Sequence, residues 1–398
     1  MTAMAATAAR PGGTEILDHL KARRGDMIAF LEALTRVESP SDVPETQAHA
    51  RELIAEALAG EGYRACRIPG RTSGGCLYAR PNARRRGAPA QMMLGHYDTV
   101  WPVGTIDELP FEVDGDVVRG PGVFDMKGGI TQIVFALATL RAFGIEPDVT
   151  PVVFANSDEE IGSRESTRYI ARLAKTMDRV FVLEPSLGPE GALKTQRKGV
   201  GRFNVTVKGV AAHAGLDPEA GASAILELSH VIQELFKLND PERGVTVNVG
   251  TIEGGLRPNV VAPESSAVID VRVKTQADAK RIEAAIHGIE ATTPNTALEI
   301  TGQIGRPALE ATPRNRALWS MAQGLAEELE IPLEQGLAGG GSDGNTTSLY
   351  TATLDGLGPV GDGAHARHEF LYIDKTIERT ALVTLLLLQP PLEADESA

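Results

Sequence analysis

Three short apolar runs set the pattern of this chain, and each stops at residues able to bind a cation. Met92-Met93-Leu94 leads through Gly95 to His96, with Asp98 two residues on. Val149 to Ala155 leads to Asn156-Ser157-Asp158-Glu159-Glu160, and Val180-Phe181-Val182-Leu183 leads directly to Glu184. Short, mostly apolar runs of this length predict strands. Apolar positions at helical spacing predict the elements between and around them. Ile16, Leu17 and Leu20, then Met27, Ile28, Leu31 and Leu34, mark a helical stretch from Thr14 to Thr35, with a break expected at Gly25-Asp26. Gln47 to Leu58 predicts another helix, and Ile130, Ile133, Val134, Leu137 and Leu140 share one face of a third. Alternating strands and helices predict an α/β sheet with His96, Glu159-Glu160 and Glu184 along one rim, where open α/β sheets collect ligands.

The pattern changes near Lys198-Gly199. Phe203, Val205 and Val207 alternate with polar residues, as a strand with one wet face requires. A helix (222–238), two strands (245–252 and 266–273), a second helix (276–290) and a last strand (297–302) follow. This βαββαβ order predicts a ferredoxin-like domain over 198–306, inserted into a first domain made of 13–197 and 307–392. A chain of 398 residues is long enough for two cores.

Composition narrows the function classes. The net charge of -14 argues against a nucleic-acid partner, whose phosphates need a basic surface. An anionic substrate would need local arginines to overcome that field. No apolar run in the sequence reads as a membrane span. Met1 to Arg10 lacks a basic segment followed by a solid apolar core, and reads as a tail rather than a secretory signal. Cys66 and Cys76 are too few for a disulfide framework, so reduced thiols and a cytoplasmic location are expected. The run Arg80 to Ala90 reads as a solvated loop, and the Asp-Glu-Ser-rich final residues as frayed.

Taken singly, the chemical candidates have bland readings. His96 can be a satisfied rim histidine, Asp125 a helix N-cap before Met126-Lys127-Gly128-Gly129, Glu159 and Glu160 the acidic opening of a helix, Glu184 a solvated strand end, and His365 a loop histidine. Jointly they make a ligand set. An imidazole with carboxylates suits zinc, and a carboxylate shared between two ions suits a binuclear site. Two Zn2+ ions carry four positive charges, which three carboxylates and a bridging hydroxide nearly offset. Asp98 then suits the second ring nitrogen of His96.

These residues resemble the motifs of the di-zinc aminoacyl peptidases and deacylases that include glutamate carboxypeptidase, succinyl-diaminopimelate desuccinylase and acetylornithine deacetylase. His96-Tyr97-Asp98-Thr99-Val100 is similar to that family's H-x-D-T-V. Gly120 to Gly129 is similar to its G-x-G-x-x-D-x-K-G-G, and Asp158 to Ser163 to its D-E-E-x-G-S. Ala212-His213-Ala214-Gly215 and Gly340-Gly341-Ser342-Asp343 resemble two further blocks. The resemblance implies a mixed-sheet zinc-peptidase catalytic domain with the ferredoxin-like insert as a lid and dimerisation domain. It also implies two Zn2+, with Co2+ or Mn2+ as substitutes. Asp125 would bridge the ions, His96 and Glu184 would complete one, and Glu160 and His365 the other. Glu159 would be the general base on the attacking water. A cis peptide after Asp125 and an oxyanion-stabilising role for His213, often reached from the partner subunit of a homodimer, are further implications.

Within that group the chain looks most like glutamate carboxypeptidase. Asn259, Arg272 and Arg306 resemble residues that engage a C-terminal carboxylate, in keeping with the bidentate geometry of guanidinium groups. Gly340 and Gly341 could bring backbone N–H groups to the same carboxylate. The expected reaction is hydrolysis of an amide next to a free carboxylate, on a small N-acyl or peptide substrate, releasing a C-terminal amino acid such as glutamate. Phe124-Asp125-Met126, the basic stretch 194–198 and the lack of an export signal depart from glutamate carboxypeptidase. The alternatives are an N-acyl-amino-acid deacylase and, in a different class, a catalytically silent binding protein, which metal analysis would separate from an enzyme.

Overall fold

The computed structural model describes residues 10–83, 85 and 87–392, so the expectations for the first nine and last six residues lie outside the described residues. The chain divides into two compact units. One comprises Met1–Thr195, Ala311–Gly336 and Ser342–Ala398, the other Gln196–Glu310 and Leu337–Gly341.

The first unit is built on a six-stranded mixed sheet, in the order Tyr63–Ile68, Cys76–Pro81, Thr150–Asn156, Ala90–His96, Arg179–Val182, Ala352–Leu354. The last four strands run parallel and the first two are antiparallel. Both faces are covered, so the middles of the central strands are apolar, and the buried Gln91 and Arg179 near their starts bond to each other. Met92, Leu94, Val152, Phe154, Val180 and Val182 pack into one core. Met93, Val153, Ala155 and Phe181 join the larger core on the other face, with the helices Gly128–Ala142 and Ile373–Leu387. The stretch Val123–Ala142 is long and apolar enough to cross a membrane by composition, but 94% of its apolar window is buried inside this unit, as a core helix.

Two expectations change here. The first helical stretch breaks at Arg23, giving Gly13–Ala22 and Arg24–Arg36, and Gly25 sits inside the second helix. The Arg23 guanidinium turns back to Asp26 in that helix's first turn (3.0 Å). Arg80 and Pro81 end a strand rather than open a loop, because that strand pairs with Tyr63–Ile68 along its length.

The second unit carries a four-stranded antiparallel sheet in the order Thr246–Gly254, Glu264–Val273, Gly199–Lys208, Ala297–Arg306. The helices Ala224–Lys237 and Gln276–His287 complete the βαββαβ order of a ferredoxin-like unit. Phe203, Val205 and Val207 are buried with Leu228, Val231, Leu235, Ile282 and Ile286, and the intervening residues face the other way. The unit reaches beyond 198–306. Arg197 and Leu309 exchange backbone hydrogen bonds, and Lys198 N–H donates to the Ala338 carbonyl. The glycine segment Leu337–Gly341 therefore belongs to this unit, not to the first.

Candidate metal centre

The sheet of the first unit delivers the site. Thr150–Asn156, Ala90–His96 and Arg179–Val182 are adjacent and parallel, with His96 paired to Asn156 and Leu94 to Val182. Their carboxyl ends place His96, the segment Asp158-Glu159-Glu160 and Glu184 side by side. Two turns add the rest. Val123–Lys127 carries Asp125 ahead of the buried helix Gly128–Ala142, and its Asp125–Met126 peptide is cis. His365 sits in a tight turn with φ of 62°, beside Gly363 at 84°.

Close packing explains several of the small residues nearby. A Cβ on Gly95 would lie 2.8 Å from Cε of Met126. A Cβ on Gly129 would collide with the Leu183 carbonyl oxygen, so this glycine lets the helix press on the strand end that presents Glu184.

Asp125 is the centre of the cluster. Its Oδ1 lies 3.3 Å from Nε2 of His96, and its Oδ2 lies 3.5 Å from Nε2 of His365. His96 Nε2 is also 3.5 Å from Oε1 of Glu184, and His365 Nε2 is 3.0 Å from Oε2 of Glu160. Each Asp125 oxygen thus faces a different histidine, the disposition a bridging carboxylate requires. Ligand atoms of His96, Asp125 and Glu160 lie within 4.8 Å of one another, and so do those of His96, Glu159 and Glu184.

The donor set fits metal. His96 Nε2, Asp125 Oδ1 and Glu160 Oε1 are buried and make no hydrogen bond of regular geometry; His96 Nε2 and Asp125 Oδ1 face each other at 3.3 Å, an arrangement a shared cation would satisfy. Burial pushes the Glu160 carboxyl up to about 7, with the Asp125 charge adding to the shift. Burial alone would raise Asp125, but His365 and His96 hold it far below the usual carboxylate range. Hydrogen bonding to Asp125 and Glu160 raises His365 to about 10. Burial would lower His96, yet the carboxylates of Asp125, Asp98 and Glu184 drive it well above its ordinary value.

Asp98 is fully buried and ties the strand end to the acidic turn. Its Oδ1 is 3.4 Å from Nδ1 of His96, and that nitrogen also lies 3.0 Å from the Asp98 carbonyl oxygen. The Glu159 and Glu160 backbone N–H groups donate to its two oxygens at 3.2 and 3.1 Å. Ser41 Oγ donates to Oδ2 at 2.6 Å.

Three contributions escape the sequence reading. Ser41, which donates to Asp98, stands outside every motif quoted above. Gln47 is fully buried, donates to the Pro40 and Ser157 carbonyls, and accepts from Gly74 N–H. Glu369 is buried and accepts four hydrogen bonds around the Asp125 turn. The available signal for Glu369 was its position four residues after His365.

The remaining candidates lie in the second unit. His213 is exposed, and its Nδ1 accepts from the Gly215 and Leu216 N–H groups at 3.2 and 3.1 Å. The neutral ring therefore carries its proton on Nε2. Asn259 is exposed, and its carbonyl accepts from Ala214 N–H, on the His213 loop. Arg272 and Arg306 lie opposite Val200 from the two flanking strands, so both share the face turned away from the Phe203 core. Arg272 is already held by Asp270, at 2.8 and 3.0 Å, and reaches the Gly339 carbonyl at 3.4 Å. Gly340 is exposed and offers its carbonyl to Arg197 (3.3 Å), with Gly341 next in the same segment.

Known proteins resemble this chain in sequence and in fold. A sequence profile for Peptidase family M20/M25/M40 matches residues 92–389. Carboxypeptidase G2 of Pseudomonas sp. (strain RS-16) is 27% identical over 373 residues, covering 91% of this chain and 88% of that protein. Succinyl-diaminopimelate desuccinylase of Paracidovorax citrulli is 27% identical over 360 residues, covering 85% of this chain and 91% of that protein. The fold matches aminopeptidase PepT of Bacillus cereus, with a TM-score of 0.74, 19% identity and coverage of 92% and 98%. It also matches the YXEP protein of Bacillus subtilis, described as a dinuclear metal-binding peptidase of the M20 family, with a TM-score of 0.67, 16% identity and coverage of 92% and 98%. By its sequence, its fold and its cluster of metal-binding side chains, the chain belongs to Peptidase family M20/M25/M40 and is a hydrolase.

Proposed function

We propose that this protein hydrolyses an amide bond next to a free carboxylate and releases a C-terminal amino acid, with glutamate the preferred one. The observation that carries the reading is the convergence of the ligand atoms of His96, Asp125, Glu160, Glu184 and His365, with histidine and carboxylate atoms 3.0–3.5 Å apart. Asp125 would be shared between two ions, Zn2+ or in its place Co2+ or Mn2+. His96 and Glu184 would serve one, and Glu160 and His365 the other. Bound metal would supply Lewis acidity, polarising the scissile carbonyl and making a water acidic enough to attack near neutral pH.

The chain's own groups do the rest. Glu159, beside the ligand Glu160 and grouped with His96 and Glu184, takes the proton from the attacking water and passes it to the leaving amine. Asp98 orients His96 through Nδ1 and pins the backbone of Glu159 and Glu160. His213 donates from Nε2 to the tetrahedral oxyanion, a role supported by the two amides that occupy its Nδ1.

Recognition of the substrate carboxylate falls to Arg272, Arg306, Asn259 and the glycines Gly340 and Gly341. The shared face and row of the two arginines support this. We also infer a homodimer through the second unit. Its strand Thr246–Gly254 lies at the edge of the sheet, with Asn239 engaging Val247 on the outer side, and Ile225, Leu226, Phe236, Ile252 and Leu256 are exposed apolar residues of the same unit. A cytoplasmic location accords with two unpaired cysteines.

A panel of benzoyl, acetyl and succinyl amides tests the substrate reading, each ending in glutamate, aspartate or a neutral amide. We expect kcat/KM for C-terminal glutamate to exceed that for the neutral amide by about 100-fold, the scale set by an unpaired recognition group. The relation to succinyl-diaminopimelate desuccinylase supports a second reading, an N-acyl-amino-acid deacylase. Preference for succinyl or acetyl substrates whatever the C-terminal residue would establish that reading instead.

A further inference from the structure

Glu369 spends a buried carboxylate on a turn that looks structural. Oε1 accepts from the N–H groups of Phe124 and Asp125 at 2.9 and 3.0 Å. Oε2 accepts from Gly122 N–H and from Nε1 of Trp101, both at 2.8 Å. Glu369 also ends the turn that carries His365. Its own N–H donates to the Ala366 carbonyl, and Ala366 N–H donates to that of Gly363. One side chain therefore joins the Asp125 turn, the His365 turn and the segment after Asp98, although Asp125 and His365 stand far apart in sequence. A carboxylate is costly to bury, and a neutral core residue could have filled the space.

We propose that Glu369 is a positioning residue for the metal centre, setting the spacing between Asp125 and His365 and so the affinity of the ion they share. Glu160 is the third ligand to that ion, whereas His96 and Glu184 are held by strands that Glu369 does not touch. The effect of removing Glu369 should therefore be unequal between the two ions. The inference rests on the two-ion reading of the site.

The test is stepwise Co2+ titration of metal-free protein, followed by visible absorption and chelator competition, for wild type, Glu369→Gln and Trp101→Phe. Gln keeps the shape but turns an NH2 donor toward N–H donors. We expect Glu369→Gln to weaken one of the two ions by about 10–100-fold, as loss of an outer-sphere partner does, and to shift that ion's absorption bands. The other ion should change by less than about threefold. Trp101→Phe removes a single donor and should weaken the same ion by about fivefold. A lower melting temperature with both affinities unchanged, or with both reduced equally, would overturn the proposal and leave Glu369 a structural residue. If Glu369→Gln does not fold, Trp101→Phe decides on the same criterion. Wild-type protein that binds fewer than two ions would defeat the two-ion reading itself, and is distinguished by being measured first.

Discussion

At the scale of single residues, the site depends on groups that hold the ligands as much as on the ligands. Asp98 shows this most clearly. It faces His96 Nδ1, caps the backbone of Glu159 and Glu160, and accepts from Ser41. Replacing Asp98 with Ala would leave the Glu159 and Glu160 N–H groups without their acceptor and remove the carboxylate beside His96 Nδ1, leaving that nitrogen only the backbone carbonyl of residue 98. We expect metal affinity to fall by about 10–100-fold, read by chelator competition. Wild-type affinity in Asp98→Ala would remove Asp98 from any orienting role. Asp98 was legible in the sequence because its partner stands two residues away. Glu369 was not, because an acidic residue following Arg367-His368 in a glycine-rich loop reads as solvated, and its four donors come from segments more than two hundred residues earlier.

At the scale of elements, the contact between the helix Gly128–Ala142 and the strand end at Leu183 transmits the fold to the site. Gly129→Ala would force its new methyl against the Leu183 carbonyl, one residue before Glu184. We expect a loss of about 1–3 kcal/mol in unfolding free energy, together with weaker metal binding, because the strand end must shift. Denaturant melts of the metal-free protein check the first, and wild-type stability would contradict the packing argument. The central strands could be read from sequence because burial on both faces leaves runs such as Met92 to Leu94, Val152 to Ala155 and Val180 to Val182 free of polar residues. The antiparallel pair Tyr63–Ile68 and Cys76–Pro81 could not, since its arginines and half-exposed positions mimic a loop. The segment Leu337–Gly341 was assigned to the wrong unit for a related reason. Its attachment runs through backbone bonds to Lys198 and through arginines gripping glycine carbonyls, which carry no side-chain pattern.

At the scale of the whole molecule, an acidic chain is read as acting on an acidic substrate, and the expected answer is local. Arg272 and Arg306 share a row on the open face of the second unit's sheet, against a net charge of -14. The same unit's edge strand Thr246–Gly254 and the exposed apolar residues around it lead to the expected dimer. Sedimentation should give a two-chain mass, and Ile252→Asp should reduce it to one chain, whereas a single-chain mass for the wild type would remove the dimer from the account. All these readings depend on hydrolysis at the cluster around Asp125. Turnover by Glu159→Ala protein that still carries two metal ions tests that claim most directly. The account predicts a fall in kcat of about 10²–10⁴-fold at full metal occupancy, the contribution of a positioned general base; turnover within about tenfold of wild type, with both ions in place, would contradict it.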